Sequence, residues 1–133
     1  MRANYTRRMA GAAVAFAPAA VLAASFVWAV AHGSAHRPYG LAVTLLALAV
    51  GVFNVSLSFV RPMLFARARG SLDGYRHVSG IPIFGTLVVV AGGLLGFGSA
   101  PCAALGLAAV ALDTGGSAWF VVATWRDTSL WDA

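Results

Sequence analysis

The chain contains no lysine and no glutamate, has one cysteine, and is only 10% charged over its 133 residues. Each shortage excludes something. A soluble domain is nearer one quarter charged, so a chain this poor in charge and 60% hydrophobic is not an ordinary water-soluble fold. The lone Cys102 excludes an intrachain disulfide and a multi-cysteine metal site. No phosphate-binding glycine loop, dinucleotide fingerprint or zinc-protease motif is present, and no activated nucleophile accompanies the few acids and histidines. The expectation is therefore a protein that is not an enzyme and carries no cofactor.

The net charge of +5, carried by nine Arg and four Asp, does not form the long basic stripe on a soluble surface that nucleic acid requires. The arginines flank apolar segments, where they orient helices and meet anionic lipid head groups. Membrane lipid is thus the expected partner, and nucleic acid is not. Heavy use of Arg and Ala fits a GC-rich bacterial genome and points to the bacterial inner membrane.

Four apolar stretches approach the ~20 residues that a spanning helix needs. They cover about 9–31, 40–60, 81–97 and 102–125, with a connecting loop at 61–80. The expected fold is an all-α integral membrane protein, a four-transmembrane-helix antiparallel bundle in a single multi-pass domain. Pro18 should kink the first helix, and Gly98-Ser99-Ala100-Pro101 reads as the tight turn between the last two. Arg2, Arg7, Arg8, Arg61, Arg67, Arg69, Arg76 and Arg126 fall on one side of this topology and Arg37 on the other. The positive-inside rule then places both termini and the 61–80 loop in the cytoplasm. Trp28 and Tyr39 at one face, with Trp125 and Trp131 at the other, suit interfacial anchors. The first stretch also imitates a cleaved signal peptide ending near Ala29-Val30-Ala31. Its apolar run is longer than the usual h-region of about 7 to 15 residues, so it is read as a span.

Small residues recur at intervals of four: Gly11, Ala15, Ala19 and Ala23 in the first span, Ala47 and Gly51 in the second, Gly92 and Gly96 in the third. In lipid, helices associate through such smooth faces and through polar contacts. Gly92 and Gly96 are accordingly helix-packing glycines, serving either the bundle itself or a seam with a membrane-protein partner or a second copy.

Asp113 lies about twelve residues into the fourth span, close to the bilayer midplane at ~1.5 Å rise per residue. A carboxylate at that depth costs about 2.5 to 3.5 kcal/mol on insertion scales, so it must face the interior, find donors or take a proton. A loop at 113–116 is the competing reading, but the nine residues from Ser117 to Trp125 are too few to span alone. The same depth arithmetic brings Asn54, Thr86 and Ser117 within roughly one turn of Asp113, with Thr114 beside it. This layer is either a proton or cation site or interhelical glue worth about 0.6 kcal/mol per contact.

In the 61–80 loop, Met63, Leu64 and Phe65 followed by Arg67 and Arg69 read as a short interfacial helix. Asp73 is expected to pair with Arg69 or Arg76, and Ser79 or Gly80 to cap the third span. Arg67, Arg69, Asp73, Tyr75, Arg76 and His77 form a candidate cytoplasmic docking surface beside the plainer role of lipid anchoring. His32 and His36 share one helical face by spacing, but without a third ligand they read as interfacial residues and not as a metal site. The leading expectation is a non-catalytic accessory, scaffold or immunity-type protein acting by helix packing. The alternative is a small transporter or channel subunit using Asp113.

Overall fold

The computed structural model describes residues 5–131 apart from Ser79 and Pro82. Within them the chain is helix and turn, with no strand. The helices are α1 (Tyr5–His32), α2 (Pro38–Val55), a π-helical turn (Ser56–Val60), α3 (Arg61–Arg69), α4 (Phe84–Leu95), α5 (Ala100–Leu112), α6 (Ser117–Thr124) and α7 (Thr128–Trp131). Three continuous or nearly continuous runs, Tyr5–His32, Pro38–Arg69 and Ala100–Thr124, are long and apolar enough to cross a membrane.

Two of the expected spans have different limits. The second does not stop near residue 60: α2 passes through the π-turn into α3 as one run of 32 residues. Pro62 brings no N–H to the ladder, and the widened turn absorbs that loss, with the Arg61 N–H reaching back to the Ser56 carbonyl. The expected interfacial helix is therefore the end of this run, closed by Gly70 in the left-handed region at φ 74°. The third is shorter than expected, because α4 has 12 residues, about 18 Å of helix. It begins behind Ile83, at φ 66° and with no side-chain cap. Gly80 therefore does not cap it, and Ser79 lies outside the described residues. A β-branched residue at positive φ is a rare conformation. Here the Ile83 N–H is tied to the Gly115 carbonyl at 3.1 Å.

Glycine sets the packing distances. A Cβ on Gly40 would stand 2.5 Å from the Gly96 Cα, and one on Gly92 would meet the Thr44 hydroxyl at 2.7 Å. The α2 and α4 backbones therefore touch where side chains would hold them apart, and Thr44 turns its hydroxyl back onto the Gly40 carbonyl at 2.8 Å. A Cβ on Gly51 would lie 2.9 Å from the Ala109 carbonyl oxygen of α5. Leu22 of α1 fits between Gly93 and Gly106, whose added Cβ atoms would meet it at 3.1 and 2.8 Å. With Ala47, Val89 and Ala109 it makes the buried apolar layer of the bundle. Ala47, Gly51, Gly92 and Gly96 are thus used between helices of one chain.

The last turn of the fold is held by a cap. The Asp127 carboxylate accepts the Ser129 hydroxyl at 2.6 Å and the Ser129 and Leu130 N–H groups at 3.0 and 3.3 Å. This starts α7 and seats Trp131, 7% exposed, on Gly11 and Ala15 of α1. Trp131 is consequently a packing residue as well as an aromatic near the chain end, and its indole N–H donates to the Thr124 carbonyl at 2.8 Å. Arg8 is buried too and donates to the Trp125 carbonyl at 2.9 Å, where the end of α6 favours positive charge. The Ser129 hydroxyl, chiefly, holds the Asp127 carboxyl below its usual value of 3.8, with the two backbone N–H bonds adding to the effect. A depressed folded value means that the cap is intact above the unfolded value and is lost as pH falls through the folded one. In a variant keeping only Trp131 of the tryptophans, emission is expected to stay constant from neutral pH to about pH 5 and to move red only in stronger acid. A shift at higher pH would show that the cap does not hold this tryptophan.

Candidate functional site

The Ala100–Thr124 run is broken at its middle. Asp113 has φ −77° and ψ 78°, and the Thr114 N–H donates to the Leu112 carbonyl at 2.9 Å, which makes Asp113 the centre of an inverse γ-turn. The expectation of an uninterrupted fourth helix is corrected accordingly. Gly115-Gly116 follows, and neither residue favours helix.

Irregular backbone inside a membrane-embedded bundle has to find its hydrogen bonds within the protein. Asp113 N–H reaches the Ala109 carbonyl, Gly116 N–H the Asp113 carbonyl, and Ile83 N–H the Gly115 carbonyl. The Trp119 indole donates to the Ala111 carbonyl at 2.8 Å. Thr86 accepts the Ser117 N–H on its hydroxyl oxygen at 3.1 Å, at the start of α6. The Ser117 hydroxyl donates to the Ala15 carbonyl at 3.1 Å, one residue from the Val14 carbonyl that Pro18 deprives of its usual donor. The break is a built feature.

Among the described residues, Asp113 is the one acid inside a run long and apolar enough to cross a membrane. Asp113 is 2% exposed. The Asn54 amide, 0% exposed, donates to Asp113 Oδ1 at 2.6 Å, while its own oxygen accepts the Ile81 N–H at 3.1 Å. Asn54 thereby joins α2 both to the break and to Ile81, ahead of α4. Asp113 Oδ2 is buried and has no hydrogen-bond partner. It points where Gly85 and Gly116 leave room, and a Cβ on Gly116 would stand 2.7 Å from it and 3.0 Å from the Thr86 hydroxyl. Beside it is a cavity of about 10 Å³ bordered by Ala15, Pro18, Thr86, Val89 and Ser117.

The four residues expected in one layer are therefore neighbours with different duties. Asn54 touches the carboxylate, Thr86 and Ser117 complete the backbone around it, and Thr114 turns away to share a hydrogen bond with Ser58 at 2.7 Å. Gly85, Ile81 and Trp119 also belong to the site and were not legible from depth, whereas Gly116 lies in the 113–116 stretch that the sequence offered as a competing loop. Gly85 carries no side-chain signal, and the backbone of Ile81 enters only through the fold.

After α3 the chain turns back on it through aromatic contacts of Tyr75. Tyr75 meets Phe65 edge-on at 5.1 Å and His77 at 4.9 Å, and Arg69 lies over the Phe65 ring. Asp73 takes the Ser71 hydroxyl at 3.2 Å where an Arg partner was expected. Arg67 and Arg76 are exposed. His32 stacks on Trp28 at 4.0 Å, and α1 ends there, so His36 does not share its helical face. Among the described residues no cluster of His, Cys, Asp or Glu suits a metal ion.

No known family model matches the chain, and no curated protein or solved structure does. Its function has to be read from this geometry.

Proposed function

We propose that this is a multi-pass protein of the bacterial inner membrane, crossing four times with both termini and the 61–80 loop cytoplasmic, and that it is a small transporter or channel subunit using Asp113 as its proton or cation site. The observation that carries this reading is the unpartnered Oδ2 of a buried carboxylate at the centre of a broken helix. An intramembrane acid is retained at a cost, and such residues mark ion and proton sites. Discontinuous helices at mid-membrane are where transporters place these sites. For the topology, α4 is read as the core of the third crossing, and the arginine asymmetry gives the orientation.

The reading of an accessory or scaffold protein acting through a glycine seam is less well supported. Gly92 and Gly96 are covered by Thr44, Gly40 and Cys102 of the same chain, so they do not offer a free face. The test is flux in sealed vesicles under an imposed pH gradient, with protons, Na⁺ and K⁺ followed separately. Asp113→Asn keeps shape and the acceptor for Asn54, so it is expected to purify and melt like the parent while flux falls by about tenfold or more, the equivalent of roughly 1.4 kcal/mol. Unchanged flux in that variant would eliminate the proposal.

A further inference from the structure

We infer that the species bound at Asp113 is a proton, held on Oδ2 together with one water in the adjoining cavity, and that it exchanges with the side of the membrane bearing Arg7 and Trp131. This rests on the transport reading above and names its substrate.

The inventory of oxygen atoms makes the choice between proton and metal cation. A hard cation takes six or more oxygen ligands. The side chains around the cavity offer Asp113 Oδ2 and the Thr86 hydroxyl, the latter already accepting the Ser117 N–H. The Ser117 hydroxyl is directed to the Ala15 carbonyl, and the rest of the lining is alanine, valine, proline and glycine. These side chains alone would not complete the shell of a metal cation. A proton needs only the free carboxyl oxygen and one acceptor for its hydrogen bond. About 10 Å³ is the space of one water, and Thr86 is within the same cavity to orient it.

The surroundings also make the site a simple one. Asp113 is faced from α1 by Ala15 and Pro18, from α2 by Asn54, from α4 by Gly85, Thr86 and Val89, and from its own run by Val110 and Gly116. None of these side chains titrates or carries charge.

Sidedness follows from what borders the cavity. Ala15 and Ser117 also line a groove shared with Arg7, Gly11, Val14 and Trp131, at the end where α7 packs on α1. In the opposite direction Leu22, Ala47, Val89 and Ala109 form the buried apolar layer of the bundle, which offers water no polar group. Laterally, the apolar groove between α1 and α4 shares Pro18 and Val89 with the cavity, so an apolar reagent can enter from lipid.

Dicyclohexylcarbodiimide reacts with protonated carboxyl groups in apolar surroundings and tests all three points. The full chain is reconstituted in oriented sealed vesicles, pH is varied on one side at a time, and labelling of the Asp113 peptide is read by mass spectrometry. Labelling is expected to fall as the pH is raised. It should follow the pH of the Arg7 and Trp131 side only and be indifferent to Na⁺ or K⁺. Protection by either cation would overturn the proton assignment while leaving a cation site in place. Response to pH on the other face would overturn the sidedness. Labelling independent of pH, with Asp113→Asn still abolishing flux, would refute this inference alone, whereas flux surviving in Asp113→Asn removes the transport reading itself.

Discussion

Asn54→Leu is expected to destabilise the protein by roughly 2 to 6 kcal/mol, counting about 1 to 3 kcal/mol for each buried polar group left without its partner. Two groups are stranded by the one change. Asp113 Oδ1 loses the donor that sits at 2.6 Å, and the Ile81 N–H loses its acceptor at 3.1 Å. The carboxylate would then have no hydrogen bond on either oxygen, because Oδ2 has none already. Reversible unfolding in detergent or nanodiscs measures the loss. The double variant Asn54→Leu/Asp113→Leu is the informative companion: if the two residues act on each other, it loses less than the sum of the singles. Equal additivity, or a melting temperature for Asn54→Leu like that of the parent, would show that the amide does not support the acid.

The second large effect is steric. Gly40→Ala places a methyl 2.5 Å from the Gly96 Cα and 2.6 Å from its nitrogen. Both are backbone atoms that cannot rotate aside, so α2 and α4 must separate. Overpacking of this kind costs about 1 to 3 kcal/mol, and the upper end is expected, since separation also loosens Thr44 from Gly92. Ala49→Leu on the exposed face of the same helix is the control and should stay within about 0.5 kcal/mol. If Gly40→Ala unfolded at the same denaturant concentration as the control, the close approach would not be holding these helices together.

These two sites show how unevenly the fold can be read from the chain. The intervals of four that mark Gly92 and Gly96 are visible in the sequence because smooth helix faces require them. Which helix lies on them is not visible, because Gly40 and Thr44 belong to a different periodic run and only the crossing of α2 and α4 brings them together. The same limit applies at the acid. Helical rise put Asn54, Thr86 and Ser117 near the depth of Asp113, which is a statement about one coordinate. It could not say which of them turns toward the carboxylate, and Thr114, the sequence neighbour, faces Ser58 instead.

Span limits failed for a related reason. Hydropathy is a window average and does not register a local backbone turn. It ran the fourth helix through Asp113-Thr114-Gly115-Gly116 and ended the second at Pro62, although the π-turn carries the helix past that proline to Arg69. The arginine cluster from Arg61 to Arg76 suggested an ion pair for Asp73. The nearer Ser71 hydroxyl takes it, as short local hydrogen bonds commonly do for aspartate in turns.

By itself the sequence pointed to an apolar surrounding for this chain, since 60% hydrophobic content with 10% charge is far from the composition of a soluble domain. It also determined that the chain would be helical, because backbone groups in lipid must satisfy themselves, and that one acid would be buried at a cost. Only the tertiary structure decided that the helix opens at that acid, that Asn54 takes one carboxylate oxygen, and that glycines from two other segments leave the second oxygen bare. Those facts depend on atoms far apart in the chain being fixed against each other, and no local pattern of residues encodes such distances.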